Sequence, residues 1–230
     1  MIIKKIINIL SILFFIIPLN LFAESWYQIE IVVFDRISAN FSEENWKPVT
    51  PRIRPDMIEL HPSDTIIPNQ QLVPFMIMDK KSNRMNGIYQ VLKLSKEYRP
   101  LIHFSWQQPA TNRMQSRYIH IIKRNEEDKV LGQDSSSELK EPDFLENIIV
   151  SKKNIDGAIR IRSDFFLHVD VELYYFSNFI YSNKDIPSVA VENYEKLIID
   201  LKESRKIKLN EIHYFDNPIF GLIIQVSRIE

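Results

Sequence analysis

Imidazoles and carboxylates recur together in short segments of this 230-residue chain, so metal binding and proton transfer are the first chemistries to weigh. In an extended segment His168, Asp170 and Glu172 would share one side, because side chains two apart share a strand face. Glu211 and His213 repeat the spacing with Asp216 just beyond, and His103 lies opposite the apolar side of its own segment. Histidine with carboxylates suits zinc or another divalent ion, and it suits general acid–base catalysis equally well. The same alternation also describes a solvated sheet face. On that reading no catalytic residue, metal or cofactor is assigned.

Two further groups have the composition of a binding surface. Arg205, Lys206 and Lys208 form a compact basic set beside Glu203 and Glu211. They would make either a solvated strand end with local ion pairs, individually worth little, or a patch that contacts anions. Trp106, followed by Gln107 and Gln108, would offer a ring to stack on a sugar and amides to bond its hydroxyls. It also falls in register with Ile102 and Phe104, which would bury it in a core. No HExxH helix, GxSxG elbow or cysteine is present, which removes several standard hydrolase classes. Only four glycines occur, far apart, so no Gly-rich phosphate loop can form.

The elements that must position these residues read mostly as strands. In Trp26 to Phe34, Tyr27, Ile29, Ile31 and Val33 alternate with Gln28 and Glu30, the pattern of a half-buried strand. Residues 38–75 contain Pro48, Pro51, Pro55, Pro62, Pro68 and Pro74, and proline removes backbone donors. That stretch is expected to be irregular, with at most a short helix. Met85, Ile88, Val91 and Leu92 predict a helix over 84–97, stopped by Tyr98-Arg99-Pro100. Strands are expected at 101–107 and 118–123, a mobile polar loop at 124–143, and a short helix at 142–150. Ala158 to Arg162 and Phe165 to Phe176 predict two strands joined tightly at Ser163-Asp164, the second with Phe165, Leu167, Val169, Val171, Leu173 and Tyr175 on one face. Residues 189–203 fit a strand through Leu197, Ile199 and Leu201, or a helix through Val191, Tyr194, Leu197 and Leu201. Ile207–Phe215 and Ile219–Arg228 read as the last strands, joined at Asp216-Asn217-Pro218, a good turn sequence. Short links imply antiparallel pairing. The expectation is therefore one α+β domain, a mainly antiparallel sheet packed by one or two helices.

The first 23 residues have the make-up of a cleavable secretory leader. Lys4 and Lys5 precede a nearly unbroken apolar run from Ile6 to Ile17, and Leu21-Phe22-Ala23 ends in a small residue before Glu24. The run is short for a spanning helix, which needs roughly 20 apolar residues. Without Lys4 and Lys5 the remaining 207 residues hold 27 basic and 30 acidic side chains, a net charge of −3. Nucleic acid is an unsuitable partner, since phosphate binding leaves a strongly basic footprint. An exported, periplasmic chain without disulfides is expected, large enough to bury its own core.

Four blocks, in order, resemble the CsiV family of periplasmic peptidoglycan-binding proteins. They are Trp26-Tyr27-Gln28-Ile29-Glu30-Ile31-Val32-Val33-Phe34-Asp35-Arg36; Tyr98-Arg99-Pro100-Leu101-Ile102-His103 running on to Trp106-Gln107-Gln108-Pro109; Gly157 through Leu167-His168 to Leu173; and Glu203-Ser204-Arg205-Lys206-Ile207-Lys208 followed by Glu211-Ile212-His213-Tyr214-Phe215-Asp216-Asn217-Pro218-Ile219-Phe220-Gly221. The sequence departs from the family pattern in carrying Lys206 and Lys208 within a usually arginine-rich run, and Asn217 where histidine is common. The resemblance implies non-enzymatic binding of peptidoglycan. It further implies support of a class A penicillin-binding protein through its LpoA-type outer-membrane lipoprotein activator. The ligand-binding residues expected on this basis are Arg205, Lys206, Glu211, His213, Tyr214, Asp216, His103, Trp106, Gln107 and His168.

Overall fold

The computed structural model describes residues 25–38, 49–52, 54–62, 72–124, 153–181 and 195–229. The leader, the helix expected at 142–150 and nearly all of 124–143 lie outside these residues.

The described chain forms two antiparallel sheets rather than one. The first joins β1 (Trp26–Arg36), β2 (Met76–Ile77), β3 (Tyr98–Pro109), β8 (Ile212–Asp216) and β9 (Phe220–Ile229) in the order β2-β3-β1-β9-β8. The second runs β4 (Ile119–Arg124), β5 (Lys153–Ser163), β6 (Leu167–Tyr181) and β7 (Glu195–Ile207), each paired with the next. Alternation shows which face of a strand is buried but not which strands pair, so the sequence could not separate one sheet from two. A single apolar core draws on both sheets: Ile29, Ile31 and Trp106 from the first meet Ile121, Ile159, Val169, Val171 and Leu201 from the second. The strand-dominated fold carries one α-helix among the described residues, α1 (Asn86–Leu94).

β1 is not half-buried; both its faces are covered. Tyr27, Ile29, Ile31 and Val33 enter the shared core, while Val32 and Phe34 pack with Met85, Leu92 and Ile223 beneath α1. Gln28 and Glu30, which alternation assigned to a solvated face, are buried there too. The helix is shorter than 84–97 and its apolar stripe is narrower: Leu92 is buried, but Val91 is 70% exposed.

The C-terminal strands follow the predicted faces with local corrections. Leu167, Val169, Val171, Leu173 and Tyr175 do line the core, but Phe165 falls in the turn before β6 and is 99% exposed. Residues 195–203 are strand, which removes the helical alternative for that part; 189–194 lie outside the described residues. Ile207–Phe215 is not one strand. β7 ends at Ile207, and the chain turns through Leu209 and Asn210 before β8, with Asn210 at φ 62°, a left-handed conformation asparagine tolerates. At Gly157 (φ +157°) an added Cβ would lie 2.2 Å from the Glu172 carbonyl oxygen, so only glycine lets β5 approach β6 this closely.

Candidate functional site

A dense polar constellation lies along β5, β6 and β7. Asp170 accepts hydrogen bonds from Arg160 Nε at 2.8 Å, Arg162 Nε at 2.9 Å and Ser204 Oγ at 2.6 Å. Register places Arg160 opposite Asp170, and Asp170 opposite Ser204, so strand pairing alone assembles the group. Two residues on, Glu172 pairs with Arg54 and accepts from the Tyr174 hydroxyl at 2.8 Å. The Tyr118 ring sits between two guanidiniums, Arg54 at 3.9 Å and Arg160 at 4.4 Å from its centroid. Burial pushes the Asp170 and Glu172 carboxyls up, but the arginine, serine and tyrosine hydrogen bonds outweigh it and hold both below their ordinary values. These residues border a shallow concavity of about 400 Å³ whose lining also includes Arg52, Lys202 and Glu203. Most of its positive charge is answered by its own carboxylates.

The residues singled out in the C-terminal block are dispersed around the junction of β7 and β8. Arg205 pairs with Glu203, lies over the Phe215 ring and donates to the Tyr214 carbonyl at 2.9 Å, tying one sheet to the other. Lys206 caps the ring of Phe166, 3.0 Å from its centroid. Glu211 pairs with Lys208 at 3.2 Å, and His213 Nε2 accepts from the Lys208 amide at 3.1 Å. Tyr214 and Asp216 belong to a different group: Arg36 donates to Tyr98, Tyr214 and Asp216, and the Tyr214 hydroxyl donates to Asp216 at 2.9 Å. Burial and the Asp216 carboxylate push the Tyr214 hydroxyl up to about 12.

His103, Trp106 and Gln107 occupy interior positions. Trp106 has no exposed surface and donates its indole N–H to Gln108 at 2.9 Å, so it is a core residue with no ring face for a sugar. Gln107 is buried, bonded to the Val73 carbonyl. His103 bonds Glu30 at 2.8 Å, and the buried Glu30 also accepts the amides of Arg84 and Met85 at the entry to α1. His168 is bonded to the Phe166 carbonyl, away from the other two histidines' partners. Among the described residues no three His, Asp or Glu side chains are gathered to hold a metal ion. His120, absent from the expected set, bonds Asp156 at 2.7 Å and also Glu59. Those carboxylates raise its affinity for a proton against the opposing effect of burial.

A second concavity, of about 610 Å³, opens where β1 starts and β9 finishes. Arg84 and Arg228 line it with Gln28, Met78, Leu209, Asn210 and Ile229, and among the described residues no carboxylate or aromatic side chain contributes. Glu30 fixes the Arg84 backbone, and the turn carrying Asn210 is tied to β9 by Asn210 N to the Val226 carbonyl and Gln225 Nε2 to the Asn210 carbonyl. Neither guanidinium has an ion pair among the described residues, in contrast to Arg54, Arg160 and Arg162. Sequence patterning missed this pair because Arg84 and Arg228 are 144 positions apart. Only the pairing of β1 with β9 brings their elements together.

Residues 5–229 match the sequence model of the family described as peptidoglycan-binding protein, CsiV. No curated protein and no solved structure matches the chain.

Proposed function

This chain belongs to the CsiV family of peptidoglycan-binding proteins, and on that premise we propose that it binds murein in the periplasm without cleaving it. The observation that carries the reading is the extent of the family match, which includes every described strand and therefore both concavities. The separation of His103, His168 and His213 into three unrelated environments supports a binding role over a shared acid–base or metal centre. The apolar first 23 residues support export. In the cell the bound protein would support a class A penicillin-binding protein through its LpoA-type lipoprotein activator.

The test is co-sedimentation of the chain from Glu24 onward with purified insoluble sacculi. Recovery in the pellet, with no release of soluble muropeptides, is expected. Protein left in the supernatant would move the account to a second reading, an adaptor that docks proteins without touching murein. Exposed apolar residues near the β5–β6 turn favour that alternative: Phe165 and Met114 are 99% and 91% exposed, and the Arg113 amide bonds the Asp164 carboxylate at 3.3 Å.

A further inference from the structure

The geometry points to the Arg84–Arg228 concavity as the place where a carboxylate-bearing stem peptide of murein is held, an inference that rests on the murein-binding reading above. A guanidinium offers five donors in a planar fork that fits a carboxylate with two parallel bonds. Two such groups line one concavity into which, among the described residues, no Asp or Glu projects, so both guanidiniums are open to an anionic ligand. Gln28, which also lines the concavity, donates its amide nitrogen to the Ser82 carbonyl at 2.8 Å, so what it can offer a peptide N–H is its side-chain oxygen.

The rest of the lining separates a peptide from a glycan. Met78, Leu209 and Ile229 supply thioether and aliphatic surface, suited to small alkyl side chains between carboxylates. Among the described residues no aromatic ring joins the lining, so none of them offers a platform on which a pyranose face would stack. The concavity is also built from the firm parts of the fold. Glu30 is buried and holds the Arg84 and Met85 amides at 2.6 and 2.9 Å, and Arg228 lies within the paired length of β9. Such a site keeps its donors in place before the ligand arrives, which reduces the ordering cost of binding.

The experiment titrates the chain from Glu24 onward with three soluble probes prepared from sacculi: the intact disaccharide tetrapeptide, the free tetrapeptide, and peptide-stripped glycan strands. Binding is read by calorimetry, beside sacculus co-sedimentation. The free tetrapeptide is expected to bind, and each of Arg84→Gln and Arg228→Gln to weaken it about tenfold, the loss of one charge-assisted contact. Both side chains are exposed, so the variants are expected to fold, which circular dichroism would check. Tetrapeptide affinity unchanged in both variants would overturn the inference. Binding of stripped glycan but not of tetrapeptide would overturn it while leaving murein binding intact. Failure of every probe and of sacculi would remove both.

Discussion

Two concave regions of this protein carry arginines, and they differ in what answers the charge. Along β5 to β7, Arg54, Arg160 and Arg162 converge on Glu172 and Asp170. Beside β1 and β9, Arg84 and Arg228 line a concavity to which no acidic side chain contributes among the described residues. Buried charge is tolerated where it is paired and hydrogen-bonded, so the first region holds strands together. Guanidiniums without a counter-charge at a concave surface gain no ion-pair stabilisation and remain available to a ligand. A basic residue in a cavity is therefore informative only after its counter-charges have been found.

The sharpest way to break the paired region is to separate its strands. Gly157→Ala would drive a methyl into the Glu172 carbonyl, 2.2 Å away. Collision and backbone strain together should cost roughly 4 kcal/mol, read as a large fall in the urea midpoint. Next, Asp170→Asn keeps the shape but leaves Arg160 and Arg162 without their shared carboxylate, for a loss of about 3 kcal/mol. Sacculus binding by the folded fraction should be unchanged. If Asp170→Asn lost murein binding while staying folded, the division of labour between the regions would fail.

Titration gives an intermediate effect with two limbs. Asp170 and Glu172 are held below their ordinary values of 3.8 and 4.5. Their contribution is present above those values and is lost as pH falls through the lower folded ones. His120 is held above 6.5, so its contribution is complete below 6.5 and is lost as pH rises through the higher folded value. Thermal midpoints measured across pH should fall on both sides, and His120→Asn should remove the alkaline limb alone. The smallest effect belongs to Arg205→Ala. Its exposed pair with Glu203 is worth about 0.5 kcal/mol, and sacculus binding should stay within about twofold, because Glu203 already answers its charge.

Much of the fold was legible because period-two patterning is strong. Ile102, Phe104 and Trp106, and Leu167 through Tyr175, lie on the core side as alternation requires. What patterning could not supply was partnership. Gln28 and Glu30 read as solvated because nothing in β1 announces that residues 82–85, leading into α1, will bond to them. Phe165 read as a core residue because the start of β6 depends on where the turn closes. The C-terminal block was found by its residue types, and three of its charges, Arg205, Glu211 and Asp216, prove to be answered by Glu203, Lys208 and Arg36. The Arg84–Arg228 concavity carried no sequence signal, because its two halves meet only through long-range strand pairing.

The most direct measurement compares two charge-matched double variants for co-sedimentation with sacculi under identical salt. Arg84→Gln with Arg228→Gln and Arg205→Gln with Lys206→Gln each remove two positive charges, so non-specific attraction falls equally in both. Loss of binding in the first and retention in the second is the predicted result. Retention in the first with loss in the second would contradict the account and move the site to the β7–β8 junction.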